Sequence, residues 1–138
     1  MDRICKIIVV EDDAAVRSLL GDVLDYIGYE FTLVATGAQM RTALEQERFD
    51  VAIIDIALRG SEDGFMLAEV ASQAGCGVVL TTGDHTQRAR LEGSGQRHLL
   101  KPFRMQQLTD LAEQLIRDAG ATCVTRPKRE PSRLPADL

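Results

Sequence analysis

The 138-residue sequence predicts an α/β fold: a parallel sheet carrying helices on both faces. Three observations predict it. Five short apolar runs recur near residues 5–10, 31–35, 51–55, 77–82 and 97–100. They are continuous rather than alternating, the mark of strands buried on both sides. Segments with helical apolar spacing separate them.

The first run, Ile7-Ile8-Val9-Val10, ends in the acidic group Glu11-Asp12-Asp13. Val16, Leu19, Leu20, Val23, Leu24 and Ile27 then form one helical face, and Gly28 suits its C-cap. After the second strand, the Thr36-Gly37 turn opens a helix marked by Met40, Ala43 and Leu44. The third run, Val51-Ala52-Ile53-Ile54, ends at Asp55, and a loop follows to Gly64. Leu67, Val70, Ala71 and Ala74 mark the next helix, closed by Gly75. The fourth run, Val78 to Thr82, stops at Gly83. A weak helical segment spans His85 to about Glu92. The fifth run, His98-Leu99-Leu100, meets Lys101-Pro102-Phe103. Leu108, Leu111, Ala112, Leu115 and Ile116 mark a last helix ended by Gly120.

Residues 1–120 thus read as one domain, and 121–138 as an irregular, mobile tail containing Pro127, Pro131 and Pro135. The tail carries four basic against two acidic residues, whereas the whole chain is −5, leaving −7 on the body. An acidic body argues against binding a nucleic-acid backbone. No apolar stretch reaches the ~20 residues that cross a bilayer, and no secretory signal is expected. Cys5, Cys76 and Cys123 are scattered, and they read as reduced cytosolic thiols, two of them filling core space. Two histidines far from any cysteine pair leave no zinc site.

Parallel strands bring their C-terminal ends to one edge, where open α/β sheets place their chemistry. That edge receives Glu11, Asp12, Asp55, Thr82 and Lys101. Close carboxylates repel and call for a cation, and oxygen ligands suit Mg²⁺ or Mn²⁺. A carboxylate nucleophile, a metal, an ammonium and a hydroxyl are the parts of phosphoryl transfer to an aspartate. Asp13 fits the start of the following helix better than a metal role.

Val10-Glu11-Asp12-Asp13, Asp55 with Leu58 and Gly64, Thr82-Gly83 and Lys101-Pro102-Phe103 together resemble the receiver domain of two-component response regulators, the CheY-like type, over residues 3 to about 119. The resemblance implies a doubly wound flavodoxin-like fold with strand order 2-1-3-4-5. It implies that Asp55 accepts a phosphoryl group from a sensor histidine kinase or histidine phosphotransfer protein. Asp12, Asp55 and the main-chain carbonyl of Ala57 would bind Mg²⁺, with Glu11 acting mostly through metal-bound water. Thr82 would switch toward the phosphoryl group, Lys101 would pair with it, and the Lys101-Pro102 peptide would be cis. The resulting reading is a stand-alone, cytoplasmic, phosphoacceptor signalling protein rather than an enzyme. It would act on an unknown downstream protein, as a monomer or a phosphorylation-dependent dimer.

Several positions depart from the family pattern. Glu11 stands where Asp is frequent, and His98 takes the place of the switch aromatic. Arg59 replaces a proline in a loop one residue longer, and the stretch from Gly83 to Arg97 is short. Other classes remain in view. An aspartate-nucleophile phosphatase needs a second Asp two residues after the nucleophile, where Ala57 stands. A phosphorylation-independent adaptor commonly loses site residues that this chain keeps. A nucleotide-binding domain lacks its glycine motifs. Ala57 and Asp84 look like the positions that tune self-dephosphorylation, and His85 is expected to be exposed.

Overall fold

The computed structural model describes residues 2–58, 62–127 and 137–138. Strands β1 (Lys6–Val10), β2 (Glu30–Val34), β3 (Val51–Asp55), β4 (Gly77–Thr82) and β5 (Arg97–Leu100) form one sheet in the order β2-β1-β3-β4-β5. All four pairings are parallel, with Val10 opposite Ile54 and Asp55 opposite Thr81. The connecting helices are α1 (Ala14–Ile27), α2 (Gly37–Gln46), α3 (Gly64–Gln73), α4 (Arg88–Gly93) and α5 (Met105–Asp118). This is the doubly wound order that the resemblance implied.

The pleat sorts the apolar runs between two cores. Ile7, Val9, Val51, Ile53 and Val79 face α1 and α5, packing on Leu20, Val23, Leu24, Leu108 and Ala112. Ile8, Val10, Ala52, Ile54 and Leu80 face the opposite layer, against Met40, Leu67, Ala71 and Leu91. β1 and β3 are therefore buried on both faces. The expectation of full burial fails for β2 and β5, which are only partly covered. These are the edge strands, and each has a neighbour on one side only.

Local chemistry sets the helix ends. Asp13 accepts a hydrogen bond from Val16 N at 3.0 Å, satisfying a donor that the first helical turn leaves open. Thr36 and Asp63 do the same for Gln39 N and Phe65 N. Gly28 ends α1 at φ 105°, where a side chain is strained. The weak segment after β4 folds as a single 3₁₀ turn, His85–Gln87, followed by the six-residue α4.

Residues 121–127 and 137–138, expected as an irregular tail, make main-chain contacts with the body. Val124 bridges to Ile4 in parallel, and Asp137 bridges to Arg104. Leu138 exchanges two main-chain hydrogen bonds with Phe103, at 2.9 and 2.7 Å. The remaining tail positions, like Arg59, lie outside the described residues. One expectation needs correction: the three cysteines are not all reduced thiols, because Cys5 and Cys123 form a disulfide, while Cys76 is free and buried. A pairing across 118 residues of sequence is set by the chain path, which cysteine spacing alone does not reveal.

Candidate functional site

The carboxyl ends of β1 and β3 are neighbours, so the fold brings Glu11, Asp12 and Asp55 together. One carboxylate oxygen from each lies within 4.8 Å of the others. Glu11 and Asp55 are buried, at 1% and 6% exposure, which makes ionising both costly. Lys101, delivered by the end of β5, supplies the compensating charge. Its Nζ donates to Glu11 Oε1 and, at 3.2 Å, to Asp55 Oδ2. The Lys101-Pro102 peptide is cis, as the resemblance implied.

Each group is held from behind. Ala57 N donates to Asp55 Oδ1 at 2.8 Å, and Asp13 N donates to Glu11 Oε2 at 3.2 Å. Lys101 N donates to the Thr82 carbonyl at 2.7 Å, which fixes β5 against the end of β4. Thr82 is fully buried, and its Oγ1 accepts from Asp84 N at 3.0 Å. Gly64 passes close behind the acidic groups. A Cβ there would lie 2.5 Å from Ile56 Cα and 3.1 Å from the Asp55 carbonyl oxygen, so the loop after β3 can return only over glycine.

Burial pushes the Glu11 carboxyl up to about 7; its hydrogen bond to Lys101 opposes that rise and Asp55 adds to it. Burial alone would lower Lys101, but Glu11 and Asp55 outweigh it and hold the ammonium above its ordinary value. The donor set is all oxygen, it gathers three acidic groups, and it borders an open cleft of about 470 Å³ lined by Asp12, Asp13, Ala14, Ala15 and Ala57. Those features fit a hard divalent cation.

The remaining predicted positions lie around this centre. His98 is partly buried on β5, with Nδ1 3.0 Å from the Gln96 carbonyl oxygen. His85 is exposed, and its Nε2 lies 3.0 Å from the Lys101 carbonyl oxygen, a contact that the sequence did not foretell. Two arginines had no sequence signal. Arg17 donates to the Glu11 carbonyl at 2.9 Å, steadying the acidic turn. Arg90 stacks on Phe65 at 4.0 Å and pairs with Asp63 at 2.7 Å, joining α4 to the start of α3. Arg17 reaches back over the turn between β1 and α1, and Arg90 reaches an element 27 residues away, so no local spacing marks either.

The sequence matches the response regulator receiver domain family over residues 7–113. The chain belongs to that family. Receiver domains are the phosphoacceptor modules of two-component signalling and generally not enzymes. Among curated relatives, this receiver is 27% identical to the regulatory protein VirG of Rhizobium rhizogenes over 89% of the chain and 53% of VirG. It is 33% identical to the transcriptional regulatory protein GltR of Pseudomonas aeruginosa, over 86% of the chain and 52% of GltR. The chain thus spans about half the length of the curated relatives it matches. Among solved structures, the CheY-like receiver from Methanospirillum hungatei superposes with a TM-score of 0.74 at 24% identity, covering 85% of this chain and 97% of that one. TrrA of Thermotoga maritima, solved in complex with Mg²⁺-BeF, gives a TM-score of 0.72 at 23% identity over 81% of this receiver and 99% of TrrA. Among the described residues of the receiver, no helix is long and apolar enough to cross a membrane.

Proposed function

We propose that the receiver takes a phosphoryl group onto Asp55 from a phosphohistidine of a sensor kinase or phosphotransfer protein and signals through protein–protein contact. The observation that carries this is Lys101 bridging Asp55 and Glu11 beside the acidic cleft. An Asp55 carboxylate oxygen attacks phosphorus, and a P–O bond forms as the P–N bond breaks. The leaving imidazole keeps the electron pair and takes up a proton. Lys101 balances the charge that builds on the phosphoryl oxygens. Thr82, one position beyond the residue opposite Asp55, offers its hydroxyl to the product and gives up its bond to Asp84 N. Glu11, Asp12, Asp55 and the Ala57 carbonyl would hold Mg²⁺ or Mn²⁺, which when bound offsets the repulsion between carboxylate and phosphate. Ala57 carries no acid to protonate a leaving group, which supports a phosphoacceptor over a turnover phosphatase.

Intact mass tests the proposal after incubation with acetyl phosphate and Mg²⁺. A phosphate-sized gain in wild type, absent from Asp55→Asn and from wild type in chelator, is the expected result. Equal gain in Asp55→Asn would place the acceptor elsewhere. No gain in wild type from either acetyl phosphate or a phosphorylated histidine phosphotransfer protein would remove the phosphoacceptor reading.

A further inference from the structure

The edge of the sheet opposite the acidic site carries a second chemical feature. Cys5 sits immediately before β1, buried to 3% exposure. Its sulfur is bonded to that of Cys123, with Cα atoms 4.8 Å apart, inside the range that disulfides adopt. Cys123 belongs to a segment that lies along the N-terminal edge of the sheet. Cys5 N donates to the Val124 carbonyl at 2.8 Å, Val124 N to Arg3 at 2.9 Å, and Arg126 N to Gly28 at 2.8 Å. Gly28 makes room for this approach: a Cβ there would lie 2.1 Å from the Arg126 carbonyl oxygen. The glycine read from sequence as a helix cap is also the seat of this segment.

The segment holds little of its own. Ala121 and Cys123 rest partly buried against the core, while Val124, Thr125, Arg126 and Pro127 are exposed. Its one ion pair among the described residues, Arg126 with Glu30 at 2.9 Å, has both side chains well exposed and contributes little. No buried core residue belongs to the segment; Ala121 and Cys123 only pack against the core as partly buried neighbours. The disulfide therefore joins a firmly packed strand to a weakly held one. Of the two cysteines, Cys123 is the more exposed, being only partly buried where Cys5 is buried.

We propose that Cys5 and Cys123 form a reversible redox latch that sets whether residues 121–127 stay docked against β1 and Gly28. The co-reactant is a low-molecular-weight thiol–disulfide couple. A thiolate attacks Cys123 Sγ, forming a mixed disulfide there, and Cys5 leaves as a thiolate. A second thiol attacks the external sulfur of that mixed disulfide and releases the Cys123 thiolate and the oxidised couple. Two electrons pass to the protein. The latch lies at the far edge of the sheet from Asp55, and it stands whether or not Asp55 is the acceptor.

The test equilibrates the full chain in glutathione mixtures from oxidising to reducing, followed by native alkylation and hydrogen exchange. The expected result is a shift from no label to two labels per chain along a two-electron curve, with Cys76 labelled only in denaturant. Reduction then speeds exchange at Val124 and Arg126 by roughly tenfold or more, while β1 and β3 amides stay slow. Cys123→Ser gives the same fast exchange in every mixture. A bond that persists in the most reducing mixture, or never forms in the most oxidising, overturns the proposal. So does a reduced protein whose Val124 and Arg126 exchange as slowly as before, since the bond would then be a staple without a latch.

Discussion

Lys101→Met keeps the length of the side chain and removes its charge, leaving Glu11 and Asp55 buried without their cation. Removing one partner of a buried ion pair costs about 3–5 kcal/mol when the other stays ionised. Glu11 has an escape, because its carboxyl already titrates at about 7 and loses a hydrogen bond that held it down. In the variant it stays protonated further up the pH scale, which trims the loss to about 2–3 kcal/mol at pH 8. The sign follows from linkage. A carboxyl whose folded pKa is raised from 4.5 to about 7 binds more protons folded than unfolded, so stability falls as pH rises through that window. Near pH 5, Glu11 is neutral in the folded state of both proteins, and the gap between wild type and variant narrows. Urea unfolding at pH 5 and pH 8 in chelator measures both gaps. Added Mg²⁺ stabilises the native state by mass action and offsets part of the variant's loss at pH 8. A gap under about 0.5 kcal/mol at pH 8 would refute the claim that Lys101 neutralises the buried pair.

Three further outcomes follow from the same geometry. Mg²⁺ affinity measured by calorimetry rises with pH up to about 7, by at most tenfold per unit, and then levels as Glu11 becomes ionised; a flat profile would show that Glu11 is no part of the ion's environment. Gly64→Ala forces a Cβ to 2.5 Å from Ile56 Cα, and thermal unfolding should register a loss of about 1–3 kcal/mol together with slower acceptor phosphorylation. Burial pushes Asp50 up, but the two bonds from Arg3 and one from Lys6 N outweigh it and hold the carboxyl low. That stabilisation is present above the unfolded value of about 4 and is lost as pH falls through the lower folded value. Asp50→Asn should therefore cost about 1.5–3 kcal/mol at pH 7, with the difference fading in acid denaturation below about pH 4.

The sequence by itself determined the alternation of strands and helices, because burial on two faces demands continuous apolar runs and helix packing demands a 3.6-residue period. It also placed Glu11, Asp12, Asp55, Thr82 and Lys101 at strand ends, since in parallel sheets those ends share an edge. What the tertiary structure decided are the meetings between distant residues: which carboxylates Lys101 bridges, why Gly64 must lack a Cβ, and how Arg90 ties α4 to Phe65 and Asp63. The cysteines show the difference most sharply. Their spacing suits three separate thiols, yet the chain leaving α5 turns back along the sheet and brings Cys123 onto Cys5. Periodicity reports how a residue sits within its own element. Pairing across 118 residues depends on the path of the whole chain, and only the folded chain carries that.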